Sequence, residues 1–361
     1  MHTPARSSIT LTLAGLIVLW VPQTAVAQSK TAGETFKNVT QLKDIPAEQL
    51  MPSMQLISID LGVECSFCHV QGKMDSDDKG PKKTARAMMA MTAEINKTHF
   101  GGRQQMTCYS CHRGAPHPMN TPAVLESDMA PTPHVPPVAA ASEAPAPTVD
   151  QILAKYVAAL GGADAIHRVS SRIMKGSIAA MGSDTPIEIL TKAPNKRITI
   201  THGAKGDSFT AYDGEAGWMG STGRPAREMS SAESGAFALD AEFYLALRIK
   251  ELFPQLRRGR PETIGGALCE TLIGSGPGHP PVRLYFDQST GLLTRMVRYA
   301  ETPVGRNPTQ IDYSDYRAVD GVKTPYRWTL SRPNGRFTIQ ITDVTNNASI
   351  DDGRFAKTVA H

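Results

Sequence analysis

Cys65-Ser-Phe-Cys68-His69 returns 43 residues later as Cys108-Tyr-Ser-Cys111-His112, and these two stretches decide how the first third of the chain is read. Two thiols three positions apart can each add to one vinyl group of the same porphyrin, and the imidazole that follows then falls beneath the iron. The pattern predicts two covalently bound haem c groups, with Cys65, Cys68, Cys108 and Cys111 as attachment residues and His69 and His112 as axial iron ligands. Paired thiols have rival readings: half of a zinc site, a redox disulfide, a structural staple. Zinc ribbons separate their pairs by about 15 to 20 residues, whereas 39 lie between Cys68 and Cys108, and none of the rivals requires a histidine directly after each pair. Four of the five cysteines fall in the motifs, so a disulfide framework would dismantle them. The fifth, Cys269, reads as a small buried hydrophobe in a strand.

On the amino-terminal side, residues 1–27 combine Arg6, an apolar run from Ile9 to Val21 and Ala25-Val26-Ala27, the arrangement of a cleaved secretory signal. The apolar run is shorter than the about 20 residues that span a bilayer. The mature chain is therefore expected in the periplasm, free or membrane-associated. On the carboxy-terminal side, nine of the 26 prolines fall between Pro116 and Pro147, which predicts an extended linker. The resulting division is a signal peptide at 1–27, a two-haem domain at 28–120, a Pro/Ala-rich linker at 121–147 and a second domain at 148–361. A net charge of +4 and short, scattered basic pairs give no reason to expect nucleic-acid binding.

The first domain reads as mainly helical. Pro52 suits a first helical turn, Met54, Ile57 and Leu61 share a face, and Gly62 supplies a stop before the first motif. Ala85 to Phe100 repeats the plan, with Met88, Met91, Thr92 and Ile95 on one face and Gly101-Gly102 at the end. A methionine on each helix can then reach the iron opposite the attachment histidine. Met54 and Met88 are chosen as these ligands, with Met51, Met89, Met91 and Met106 close by and methionine also a common core filler.

Residues Asn38 to Pro122, with Leu50-Met-Pro-Ser-Met-Gln-Leu-Ile-Ser-Ile-Asp-Leu-Gly-Val-Glu-Cys-Ser-Phe-Cys-His69, Met88-Met-Ala-Met-Thr-Ala-Glu-Ile-Asn96 and Thr107-Cys-Tyr-Ser-Cys-His-Arg-Gly114, resemble the photosynthetic reaction-centre cytochrome c subunit family. The resemblance implies iron ligation by methionines at positions matching Met54 and Met88, and a membrane or periplasmic redox protein as partner. Familiar members carry four haems, one of them held by two histidines. Here one pair of motifs implies a two-haem relative, and His99 reads as a helix-end cation.

The second domain reads as α+β with a curved antiparallel sheet. Thr148 and Gln151 form a possible capping box for a helix that stops at Gly161-Gly162. Beyond it the periodicity falls to two, as in Arg197-Ile-Thr-Ile-Thr201 and Phe337-Thr-Ile-Gln-Ile341, with turns at Gly265-Gly266 and Asp320-Gly321. A single further helix is expected around Ala241 to Phe253. Lys192-Ala-Pro-Asn-Lys196, Tyr212-Asp-Gly-Glu-Ala-Gly-Trp218, Leu284-Tyr-Phe-Asp-Gln-Ser-Thr-Gly-Leu-Leu293 and Asp315-Tyr-Arg-Ala-Val-Asp-Gly-Val-Lys-Thr-Pro325 resemble the lipoprotein-carrier, Lol-type sorting fold. That implies a cavity for a lipid or lipoprotein, which Trp218 either lines or lies behind as core.

An iron closed by histidine and methionine has no open position, so outer-sphere electron transfer is the expected function and no enzymatic activity is assigned. Two other readings are a haem peroxidase or reductase with one open iron, drafting His99 or Glu94, and a lipid- or lipoprotein-binding module under redox control.

Overall fold

The computed structural model describes residues 30–118, 146–180, 183–229, 231–277, 279–333 and 335–357; the expected signal segment and most of the expected linker lie outside them. The chain is multidomain in plan, a helical region followed by one large antiparallel sheet with helices on it. No helix among the described residues is long and apolar enough to cross a membrane.

Two long helices organise residues 30–118. Leu50–Leu61 carries Pro52 in its first turn and ends at Gly62, whose φ of 63° lets the chain reverse. Met54, Ile57 and Leu61 do share a face, packed with Leu42, Leu56 and Met89. The second helix, Gly80–Phe100, starts five residues before the expected Ala85, because Pro81 serves in its first turn, and it ends at Gly101 with φ 60°. Its expected apolar face is only partly used: Met91 is exposed, and Met89 rather than Met88 packs in the apolar cluster.

Among the described residues the sheet contains fourteen strands, and its order follows from two meanders joined by the last of them. Gly335–Asn346 pairs with Ser171–Ala180, so one meander runs outward from Ser171 to Glu228 and the other returns from Glu262 to Asn346. Turns at Gly265-Gly266 and Asp320-Gly321 have the positive φ values that tight hairpins demand. Helix Val149–Leu160 has the Thr148/Gln151 capping box and Gly161 C-cap expected of it, and buries Ile152, Leu153, Tyr156 and Leu160. The helix expected around Ala241 to Phe253 is present as Leu245–Leu252, and a further helix that was not expected, Ser231–Ala241, precedes it. The chain bends between them, where the Phe243 N–H donates to the Pro194 carbonyl at 3.0 Å. These helices and the sheet enclose the main core, with Phe253, Phe286, Leu272, Leu284 and Ile341 fully buried. Cys269 is buried in strand Ala267–Gly276, as expected. Trp218 is partly buried and packs against the cluster of Leu190, Ile198, Ala211 and Phe355.

The two regions touch. The hairpin tip between strands Leu293–Thr302 and Gly305–Val319 inserts Val304 beside Leu56 and Ile57, and the Gln104 side-chain amide donates to the Pro303 carbonyl at 2.6 Å.

Candidate haem-attachment site

Each motif folds as a short helical turn, Cys65–Cys68 and Cys108–His112, which sets its two thiols on neighbouring positions of one turn. All four cysteines are free thiols. Burial raises the Cys68 thiol above its usual range. It pushes Cys108 up to about 11, with the nearby Asp60 and Cys111 adding to the effect. Among the described residues no three His, Cys, Asp or Glu side chains converge on one point, so the two pairs are not brought together as a zinc ribbon would have them.

The histidines carry the clearest signature. His69 Nδ1 lies 2.8 Å from the Met74 carbonyl, and His112 Nδ1 lies 2.9 Å from the Ala115 carbonyl. A carbonyl oxygen only accepts, so Nδ1 is the donor in each contact, and in the neutral imidazole Nε2 then carries the lone pair. A metal-ligating imidazole is normally oriented in this way, by a second-shell acceptor that fixes its tautomer. Two motifs separate in sequence arrive at the same hydrogen bond.

Sequence reasoning missed the residues that hold those carbonyls. Lys82, nearly buried, donates to the Met74 carbonyl at 3.0 Å and the Ser76 carbonyl at 2.8 Å, and pairs with Asp77 at 3.3 Å. Arg86 grips both Asp77 carboxylate oxygens at 2.9 Å, and Asn38 donates to the same carboxylate. At the second motif, Asn96 accepts from the Gln105 and Met106 N–H groups and donates to the Met106 carbonyl, fixing the loop that leads into Cys108. Burial pushes the Asp60 carboxyl up to about 6, against the Tyr109 backbone N–H and the nearby His112, both of which pull it down. In sequence these are ordinary polar residues on helices and loops, and nothing local marks them.

Hydrogen bonds from Arg86, then Asn38, hold the Asp77 carboxyl well below its ordinary 3.8. A carboxyl depressed in the fold stabilises above its unfolded pKa and loses that contribution as pH falls. The wild-type chain is therefore expected to lose thermal stability below about pH 4, and the Asp77→Asn variant to melt lower at pH 7 but show a flatter acid limb. Parallel melting curves from pH 7 to pH 3 would count against this role.

The proposed methionines are placed as follows. Met54 lies in the cluster with Met89 and Cys108, and helix Leu50–Leu61 packs on the second attachment turn. Met88 is half-buried on helix Gly80–Phe100, which contacts the first attachment turn and, less extensively, the second. His99 sits exposed in the last turn of that helix. In the same region, Phe36, Met51, Phe67, Met74, Met91 and Tyr109 are all exposed.

Among solved structures, the chain is similar to a LolA superfamily protein from Nitrosomonas europaea, with TM-score 0.42 and 16% identity over 59% of this chain and 99% of that one. A DUF1329 family protein from Desulfovibrio piger gives TM-score 0.43 and 14% identity over 58% and 97%. In sequence, the photosynthetic reaction center cytochrome c subunit of Thermochromatium tepidum is 34% identical over 92 residues, 24% of this chain and 22% of that protein. Its counterpart from Rubrivivax gelatinosus is 32% identical over 91 residues, 24% of this chain and 25% of that protein. The chain thus matches only about a quarter of the length of either curated relative. Residues 11–151, which include both attachment motifs, match the family described as photosynthetic reaction centre cytochrome C subunit, and it is to that family that the amino-terminal part of the chain is similar.

Proposed function

We propose that the chain is an exported electron carrier holding two covalent haem c groups, one on Cys65 and Cys68 with His69, the other on Cys108 and Cys111 with His112. The observation that carries this reading is the paired Nδ1 hydrogen bond, which presents Nε2 of both histidines as a ligand directly beside a pair of free thiols.

When bound, haem c supplies one-electron redox chemistry at a fixed site. The chain's own residues supply the rest. His69 and His112 are oriented by their carbonyls, Lys82 and Asn96 fix the loops, and Met54 and Met88 are the proposed second axial ligands. Residues 28–120 would form the cytochrome domain, joined by a linker to the sheet domain, with a membrane redox protein on the periplasmic side as partner.

The mass of the mature holoprotein, made in a host with working cytochrome maturation, is expected to exceed that of the polypeptide by two haems; the bare mass would end the proposal. For the ligands, Met54→Ala and Met88→Ala are each expected to remove about half of the near-infrared methionine-to-iron band. Full retention in either variant would transfer that role to a neighbour such as Met89 or Met51.

A further inference from the structure

The sheet domain reaches the second attachment site through a hairpin. Its tip, Pro303-Val304, joins strands Leu293–Thr302 and Gly305–Val319 in a two-residue loop, with Thr302 paired to Gly305 across it. A hairpin tip standing in solvent is ordinarily polar, yet Val304 is only 9% exposed. It packs with Leu56 and Ile57 of helix Leu50–Leu61, in the cluster that Met54, Met89 and Cys108 border. The next residue comes as near: a Cβ on Gly305 would lie 3.2 Å from Leu56 Cδ2 and 3.4 Å from Thr107 Cγ2. Thr107 is the N-cap of the attachment turn Cys108–His112. The hairpin thus touches both the helix and the turn at this site.

The tip is built to hold that contact. The Thr302 hydroxyl donates to the Gly305 carbonyl at 2.7 Å and accepts from the Val304 N–H at 3.3 Å, so the loop is braced from within. Gln104 Nε2 donates to the Pro303 carbonyl at 2.6 Å, and the neighbouring Gln105 and Met106 N–H groups are held by Asn96. Residues 104–107 are therefore clamped between helix Gly80–Phe100 and the sheet domain. At the first site, by contrast, the bonds that fix the loop after His69 run from Asn38, Lys82 and Arg86, all within the helical region.

Building on the two-haem reading, we propose that Val304 is a positioning residue of the second attachment site, through which the docked sheet domain sets the reduction potential there and not at the first. Apolar packing at a haem site excludes water, and a lower local dielectric disfavours the extra positive charge of the oxidised iron. Loosening the hairpin admits water beside Leu56 and Thr107, which favours the oxidised form and lowers the potential.

The test is a two-step redox titration of the full-length holoprotein, with hydrogen exchange followed by mass spectrometry on the same samples. In Val304→Asn, which removes the apolar contact without adding charge, reduction of one haem is expected to be disfavoured about tenfold, or 59 mV for a one-electron couple, and the other changed by less than about twofold. Amides of residues 56–61 and 106–112 should exchange about tenfold faster, and those of 65–69 at the wild-type rate. Val304→Ile should keep both potentials. Val297→Ala is the control: Val297 is also 9% exposed and stands on strand Leu293–Thr302, but it packs with Cys269 and Tyr285, so both potentials should hold. Potentials unmoved in Val304→Asn despite faster exchange would make the hairpin a structural contact alone and overturn the proposal, as would equal shifts at both haems or a like shift in Val297→Ala. Should Val304→Asn fail to fold, Gln104→Ala decides: losing the bond to Pro303 should disfavour reduction of one haem about threefold, and no shift overturns the proposal. A holoprotein mass without two haems would instead overturn the haem reading itself, and the proposal with it.

Discussion

Gly62→Ala is expected to destabilise the helical region by about 3 kcal/mol or more and to disturb the second attachment site while sparing the first. Gly62 has φ 63°, and a Cβ there would sit 2.1 Å from the Gly114 carbonyl oxygen and 2.9 Å from its carbon. That carbonyl belongs to the turn after His112, which is held by a hydrogen bond from the Gly114 N–H to the Asp60 carbonyl at 2.9 Å. Ala115, the next residue, supplies the acceptor for His112 Nδ1. A side chain at position 62 must therefore push the very backbone that orients the second histidine. The left-handed conformation alone costs an alanine about 1–2 kcal/mol, and relieving the overlap costs about 1–3 more. Gly101→Ala is the internal control. It has nearly the same φ of 60° but nothing within 4 Å of its Cβ, so only the conformational part, about 1–2 kcal/mol, is expected. Thermal unfolding and a two-step redox titration of both variants would check this. Equal losses in the two, or shifts in both redox steps for Gly62→Ala, would sink the argument.

What could be read from the sequence was what chemistry makes local. The thiol and imidazole spacing, the glycine stops and the Thr148 capping box depend on residues within one or two turns of each other, and the structure has each of them. The antiparallel sheet and its turns were legible for the same reason, because alternation and Asp-Gly or Gly-Gly pairs act over a few residues. Long-range partners were not legible. Nothing near Lys82 in sequence says that its amine will fix the carbonyl that holds His69, and nothing near Val304 says that it will enter the helical region beside Leu56. The helix Ser231–Ala241 also escaped, and the turn between it and Leu245–Leu252 is tied to Pro194, some fifty residues earlier.

Lys82→Met is expected to lower the reduction potential of the first haem site by tens of millivolts and to leave the second nearly unchanged. Lys82 is 8% exposed, and its ammonium bonds the same Met74 carbonyl that accepts from His69 Nδ1. Methionine preserves the unbranched stem but removes both the charge and the donor. A fixed positive charge near an iron favours its reduced form, and at an effective dielectric constant near 20 a unit charge roughly 10–15 Å away is worth on the order of 1 kcal/mol. For a one-electron couple that corresponds to about 45 mV, since 59 mV is a factor of ten. Losing the donor acts in the same direction: a Met74 carbonyl relieved of the ammonium is a stronger acceptor for the His69 Nδ1–H, which makes the imidazole a better donor to the oxidised metal. Stability should fall by about 1–3 kcal/mol, because the Ser76 carbonyl and Asp77 also lose a partner. Lys82→Arg keeps the charge but not the compact ammonium, so it should retain most of the potential while still losing stability. A potential unchanged in Lys82→Met, or shifted equally at both sites, would mean that Lys82 serves the loop alone and does not tune the histidine it reaches through Met74.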